Sequence, residues 1–566
     1  MEKKKQIVIL GAGFGGVYAA LELEKQFKKM RDEYELILVS RDNYFTYQPM
    51  LSEVVGGSLG ILDSVSALHK LLKYTKLYVR EISEIDIANQ SVVLSPNFSH
   101  TDLEIHYDHL IIALGNVTDF RYSPGGLHEH ALPFKFLADA FKLRNRIIDV
   151  IETAAFEEDP VVRKHLLTFV VGGGGFSGVE IVAEINDLAR KLTKEYKTLD
   201  AKELRVVLIH SKDRLVDREM PARLGIYAAK LLQKRGVEII FNKHLVSATP
   251  NEAILEDGTR IPAKTIVSSV PSNPNPLVEA LPFEKVKDRI LTDEFLQVKG
   301  TKNIWAIGDC ASIPLPAKKG FYCPPTAQFA VREGRAVARN IKAQITQKPL
   351  VKFNFKELGM MAVLGHRRAI AELFGFIRMS GFIAWVFWRS AYWAKLPGFN
   401  RKMKVLVSWI LDIFVPQESV QLKAEIKSGI THLHYLAGDI VFHKGDVGDF
   451  LYIIVQGSVE VLETKENAEK RIAVLEKGEF FGEIALLNEK KRIATIRCIT
   501  DCELIAIRRQ DFHILVTNFG DLREQFKQTE KKRLEKNKSL LKETFFMDVG
   551  DIAKGLDEDL PDSKTG

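Results

Sequence analysis

Short apolar runs, each closed by a glycine cluster and followed by helical periodicity, dominate the first half of the chain. Residues 6–10 (QIVIL) read as a buried strand, Gly11-Ala12-Gly13-Phe14-Gly15-Gly16 as a turn, 17–28 as a helix and 34–39 as the next strand. The pattern recurs: 166–171 (LLTFVV) predicts a strand, 172–178 (GGGGFSG) a turn, 179–192 a helix and 204–209 a further strand. Strand, turn, helix, strand is the repeating unit of a parallel α/β sheet. After residue 416 the pattern changes. Alternating runs at 439–443, 450–455 and 458–463, separated by Gly445, Gly448 and Gly457, predict a small antiparallel β-roll.

A chain of 566 residues exceeds one domain, and 46% hydrophobic with 27% charged positions excludes global disorder. The net charge of +7 does not point to nucleic acid, and no nucleic-acid partner is expected. The four cysteines, Cys310, Cys323, Cys498 and Cys502, form no C-x-x-C pair, so a reducing compartment fits better than a disulfide framework or zinc ribbon, and no metal site is expected. The basic start MEKKK runs straight into strand and turn, unlike a signal peptide. No run reaches about 18 apolar residues, so no spanning helix is expected.

Each glycine of the two turns has a physical task. Gly11 and Gly173 permit the tight turn, Gly13 and Gly175 let a pyrophosphate approach the backbone, and Gly16 and Gly178 let helix pack on strand. The helix N-terminus adds N–H donors and a partial positive charge. Two such units imply two bound dinucleotides, or one working site and one relic. An acid is expected after the following strand to bind a ribose hydroxyl. Ser40 stands at the first such position, with Asp42 as the alternative. At the second stands His210-Ser211-Lys212-Asp213-Arg214, which suits a 2′-phosphate but does not exclude NADH.

Three further motifs give this frame a family. Residues 107–115 (YDHLIIALG), 304–311 (IWAIGDCA) and 324–330 (PPTAQFA), in that order after the first turn, resemble the type II NADH:quinone oxidoreductases over residues 5–420. The resemblance implies an α/β fold of two Rossmann-like dinucleotide-binding domains. The FAD domain (1–120 and 291–350) is split around an NAD(P)H domain (121–290). It implies FAD held by the first turn with Ala113 and Gly115, Asp309 on the ribityl chain and Ala327 beneath the isoalloxazine. Glu180 would lie at the nicotinamide–flavin contact and handle protons, and Gln328 would face the quinone. The family pattern A-Q-x-A-x-Q ends here in Arg332, which leaves a soluble acceptor open. Residues 1–309 contain no cysteine, so the paired thiols of disulfide and sulfide:quinone reductases are missing and the flavin must take the hydride itself.

Residues 351–420 are expected to be a membrane-associated amphipathic helical segment. Within 373–411 lie Arg378, Arg389, Lys395, Arg401, Lys402 and Lys404, no acid, and Trp385, Trp388, Trp393 and Trp409. Tryptophan with basic residues favours the headgroup layer of an anionic membrane. Peripheral attachment on the cytoplasmic face of the inner membrane, access to a membrane quinone and a homodimer are expected. Residues 481–487 (FGEIALL) with Arg492-Ile493-Ala494-Thr495 resemble the phosphate-binding cassette of cyclic-nucleotide-binding domains, placed at 425–530. The resemblance implies Gly482, Glu483, Arg492 and Thr495 as ligand residues, Glu483 on the ribose and Arg492 on the phosphate. Ile493, where cGMP-selective members often carry threonine, favours cAMP. Residues 521–545 are expected to form hinge helices, and 531–566 a charged tail.

Overall fold

The computed structural model describes residues 4–95, 103–117, 127–249, 251–269, 273–315, 320–414, 430–446, 450–465, 468–487 and 492–508, with 420, 512, 528 and 531. The expected hinge helices and charged tail fall almost wholly outside the described residues. The chain divides into two units, 1–94 with 104–423, and 424–566 with 95–103.

The first unit is built on two five-stranded parallel sheets. One takes the order Ile304–Ala306, His109–Ile112, Lys5–Leu10, Tyr34–Ser40, Lys76–Val79. The other takes Leu132–Pro133, Thr265–Ser268, Thr168–Gly172, Arg205–His210, Val237–Phe241. In each, the strand that precedes a glycine turn lies at the centre, so the turn opens where the chain crosses from one side of the sheet to the other, the usual ligand position in such sheets. Both central strands are buried on both faces, which is why they read as unbroken apolar runs. The helices after the turns, Phe14–Gln26 and Phe176–Glu195, begin three residues earlier than their periodicity suggested, directly at the glycine. Strands 304–306 and 109–112 pair despite their separation, so the first domain is assembled from both sides of the second.

The helix Ala327–Ile345 packs closely along Phe14–Gln26, because a Cβ on Gly334 would collide with the Gly15 carbonyl. Residues 359–381 form an antiparallel three-stranded sheet, Gly359–Val363, Ala369–Leu373 and Ile377–Gly381. This sheet was not anticipated, since its strands are short and their glycine turns sit beside a conspicuously aromatic segment. Two helices follow, Phe382–Lys395 and Phe399–Phe414. Among the described residues, no helix is long and apolar enough to cross a membrane.

The second unit holds two four-stranded antiparallel sheets, Ile430–Tyr435, Cys502–Arg508, Phe450–Gln456, Phe480–Phe481, and Ile440–Phe442, Thr495–Cys498, Ser458–Lys465, Ala468–Glu476. Their inner faces share a core of Tyr452, Ile454, Val459, Phe481, Ile496, Leu504 and Ala506. A short helix, Glu483–Leu487, follows Phe480–Phe481.

Candidate functional site

The two glycine turns share one geometry. Gly11 and Gly173 have φ of +99° and +107°, in the left-handed region that side chains avoid. A Cβ on Gly16 would strike the Gly11 carbonyl, and one on Gly178 the Gly173 carbonyl, so both helices sit hard against their turns. Around Gly13, by contrast, nothing lies within 4 Å of the space a Cβ would take. Neither helix has a capping side chain or an acid in its first turn, which leaves the end N–H groups and their positive potential for a phosphate. A Cβ on Gly11 would meet the Ala113 carbonyl, so Ala113 walls the first turn, while Gly115 beside it has φ +62° and open space.

A flavin dinucleotide fits the residues around the first turn. Thr326, at the start of helix Ala327–Ile345, has a buried hydroxyl without a partner among the described residues. Burial raises the Asp309 carboxyl, against Lys135 and Arg289. The same burial lowers Lys135 to about 8, despite Asp309 and Asp139. Lys135 comes from the loop before helix Leu137–Phe156 and donates to the Asn116 carbonyl at 2.9 Å. Sequence reasoning missed it, because a lone lysine before a helix carries no motif. Ser40 is buried at its strand end, its carbonyl accepting from Arg80 N–H at 2.9 Å, and Asp42 pairs with Arg41 at 3.6 Å. Cys310 is buried, its thiol directed at the Ile307 and Ile112 carbonyls and pushed up to about 12 by burial, and all four cysteines are free. A thiol in that state is a packing group.

The second turn has two features that the sequence did not reveal. His210 is buried, and its Nδ1 accepts from Gly174 N–H at 3.1 Å while Nε2 lies 3.2 Å from Asp217 Oδ1. It braces the turn from behind, since a Cβ on Gly174 would reach its ring. Arg214 is tied to the Met220 and Asp217 carbonyls at 2.9 and 2.5 Å. Glu219 reaches the turn, its Oε1 3.0 Å from where a Cβ on Gly175 would stand, and its Oε2 is buried without a partner among the described residues. No strand-end position announces it; the loop folds it back.

A line of aromatic contacts leads from the first turn to helix Phe382–Lys395. Phe14 of the first turn meets Tyr47 edge-on at 5.5 Å, and Tyr47 meets Tyr392 at 6.0 Å. Burial raises both phenols, and the Glu180 charge adds to the rise at Tyr392. Glu180, on the helix of the second turn, accepts from Val363 N–H at 3.1 Å. Burial pushes Glu180 up to about 8, with Val363 pulling down and Glu53 adding to the rise. Glu184, one turn later, is likewise raised to about 8 by burial, and Glu53 again contributes. Gln328 donates to Glu357 Oε1 at 2.8 Å and accepts from Leu358 N–H at 3.4 Å. It therefore grips the segment leading into strand Gly359–Val363. Arg332 donates to the Gln328 carbonyl at 2.8 Å and covers the Phe355 ring at 4.0 Å.

The aromatic segment differs from its reading in one respect. Trp385, Trp388, Trp409 and Arg389 are buried, not turned to a headgroup layer. Arg389 lies over the Trp385 and Trp409 rings at 4.3 and 4.7 Å and donates twice to Glu53 Oε1, at 3.1 and 3.0 Å. Trp409 donates to Glu53 Oε2 at 2.8 Å. The opposite faces are apolar and exposed: Phe382, Ile383, Val386 and Phe387 on one helix, and Phe399, Val407, Ile410 and Phe414 on the other. An apolar face of this extent, exposed among the described residues beside Lys395, Lys402 and Lys404, has the composition of an interfacial surface.

In the second unit, Glu483 and Arg492 are both buried. Arg492 donates to the Gly482 carbonyl at 2.9 Å and the Phe450 carbonyl at 2.8 Å, its guanidinium 4.1 Å from the Phe442 ring. Gly482 has φ +89°, and a Cβ there would reach Arg492. Thr495 Oγ1 accepts from Lys444 N–H at 3.0 Å, holding the neighbouring turn.

Two dinucleotide-type glycine turns, with buried acids and phenols on the elements around them, fit a pyridine-nucleotide oxidoreductase. Residues 5–334 match the pyridine nucleotide-disulphide oxidoreductase family, 358–416 the NDH2 C-terminal domain and 432–518 the cyclic nucleotide-binding domain. The chain is 31% identical over 425 residues to the type II NADH:quinone oxidoreductase Ndh of Mycobacterium tuberculosis, covering 72% of this chain and 88% of the relative. It is 28% identical over 424 residues to a probable NADH dehydrogenase of Dictyostelium discoideum, covering 72% and 89%. The structure of NDH2 from Plasmodium falciparum in complex with NADH shares the fold, with TM-score 0.68 and 19% identity, over 74% of this chain and 100% of that one. The chain belongs to the type II NADH:quinone oxidoreductase family, and is an enzyme, with a cyclic nucleotide-binding domain at its C-terminal end.

Proposed function

We propose that the protein oxidises NADH and reduces a membrane quinone, using FAD bound at the first turn and without pumping protons. FAD, when bound, accepts a hydride and passes the electrons on singly or in pairs. The first turn, Ala113, Gly115, Asp309, Lys135 and Ala327 would hold it. The second turn would hold NADH, its pyrophosphate against the N–H groups at the start of helix Phe176–Glu195. NADH is favoured over NADPH because the carboxyl oxygen of Glu219, without a partner among the described residues, suits a ribose hydroxyl and would repel a 2′-phosphate. Glu180 is placed to hold a proton between the turns, and Tyr47 and Tyr392 exclude water there. Gln328 and Arg332 position the segment beside it, so Arg332 does not argue against a quinone.

The observations that carry this reading are the contacts Phe14–Tyr47–Tyr392 leading from the first turn and the buried Glu180 on the helix of the second. The exposed helix faces would lie in a membrane surface, where a lipophilic quinone is available. The C-terminal domain would bind cAMP, with Arg492 on the phosphate and Glu483 on the ribose, and so bias the enzyme. Stopped-flow flavin bleaching by NADH and by NADPH, followed by reoxidation with a short-chain quinone, tests the proposal. Fast bleaching by NADH and fast reoxidation are expected. Bleaching without reoxidation by quinone sinks the acceptor assignment, and faster bleaching by NADPH sinks the role given to Glu219.

A further inference from the structure

A cleft of about 350 Å³ opens between helices Phe14–Gln26 and Ala327–Ile345, away from both glycine turns, lined by Tyr18, Leu21, Glu22, Lys25, Arg335 and Arg339. Its charge is unbalanced. Three cations face one carboxylate, and Glu22 is already engaged by Arg339 at 3.0 Å and Gln26 at 2.9 Å. Among the described residues, Lys25 and Arg335 form no ion pair; Arg335 lies over the Tyr18 ring at 5.3 Å. The helix Ala327–Ile345 turns its one acid, Glu333, inward to Gly308 N–H at 2.8 Å and leaves Arg332, Arg335, Arg339 and Lys342 along its outer side.

The cleft is tied to the apolar helices. Tyr18 donates its hydroxyl to the carbonyl of Lys395, the last residue of Phe382–Lys395, at 3.0 Å. Beyond Lys395 stand the exposed Phe399 and Met403. A cationic cleft at the end of an apolar interfacial helix lies where phosphates lie when such a helix enters a bilayer.

We propose that this cleft binds the phosphate of an anionic phospholipid headgroup, with Lys25 and Arg335 as the phosphate ligands, Arg339 at the rim and Leu21 toward the glycerol. The inference rests on the membrane reading given above but adds a defined site to it. A guanidinium and an ammonium converging from two helices select a phosphate more strongly than a zwitterionic surface, whose choline opposes them.

The test uses the full-length, flavin-loaded protein and vesicles of phosphatidylcholine, with and without phosphatidylglycerol, by co-sedimentation. Phosphatidylglycerol is expected to tighten binding, and the pair Lys25→Gln with Arg335→Gln to remove most of that gain, about fivefold for each cation. The pair Lys202→Gln with Lys230→Gln, equal in charge but outside the cleft, should keep it. Quinone reduction by detergent-solubilised protein should be unchanged in both pairs. Equal losses in the two pairs would mean diffuse charge attraction and overturn the site. Loss of the phosphatidylglycerol gain on adding millimolar inorganic phosphate at constant ionic strength would show that the cleft takes free phosphate, and would overturn the lipid assignment. Failure of the parent protein to sediment with either vesicle would sink the membrane reading itself, whereas equal binding to both would sink this inference alone.

Discussion

Replacing Arg389 by methionine tests whether the aromatic helices are held by charge inside the protein. Glu53 is 2% exposed and takes three hydrogen bonds, two from Arg389 and one from Trp409. Burial raises its carboxyl, while Arg389 and Trp409 pull it down. Without the guanidinium the carboxylate loses its recorded cation, and removing one partner of a buried pair costs about 3–5 kcal/mol. The variant escapes by protonating Glu53, and the pH fixes the cost. Unfolded, the group ionises near 4.3, and each pH unit above that costs about 1.4 kcal/mol while the folded state stays protonated. The cost is therefore about 1 kcal/mol at pH 5 and, capped by burial of the charge, roughly 3–5 kcal/mol at pH 8. Because the folded pKa is raised, stability is highest at low pH and is lost as pH rises. Urea denaturation followed by circular dichroism at pH 5 and pH 8 measures it. Arg389 also donates to Asp412 Oδ2 at 3.4 Å, so adding Glu53→Gln should remove most of the pH dependence and Asp412→Asn the remainder. An Arg389→Met protein that loses equally at both pH values, or is not relieved by Glu53→Gln, refutes the argument.

Three further outcomes are expected. Gly178→Ala drives a Cβ into the Gly173 carbonyl, so NADH should bind at least about tenfold more weakly by titration while bound flavin is retained, a loss of about 1.4 kcal/mol or more. Glu180 is pushed up to about 8, so if its acid form supplies a proton, steady-state turnover with quinone should fall as pH rises through about 8, and Glu180→Gln should erase that limb; an unchanged profile would assign the limb elsewhere. Arg492→Ala should weaken cAMP binding by calorimetry about 10- to 150-fold, the range for a charge-assisted bond of about 1.5–3 kcal/mol; unchanged affinity would remove Arg492 from the ligand site.

The glycine turns, the strands around them and the β-roll were legible in the sequence. Their signals are local: a positive φ needs glycine, a buried strand needs an apolar run, and both lie within one stretch of chain. The family motifs at 107–115, 304–311 and 324–330 were legible for the same reason, since each places a backbone turn. The site between the turns was not. Glu53, Lys135, Glu219 and Tyr392 come from separate elements without a motif, and what makes them chemical is shared burial, which belongs to packing. His210 shows the same limit, since its place after a strand suggested a cofactor contact, yet the fold turns the ring onto Gly174.

Sequence alone also counted tryptophans and cations in 373–411 without knowing which way each faced. Helical spacing names two faces, but only the partner decides which is inside. The acid Glu53, several hundred residues earlier, draws Arg389 and Trp409 inward and leaves the aliphatic and phenylalanine positions outside. Composition set the chemistry available to the segment, and the buried carboxylate against which it packs decided its orientation.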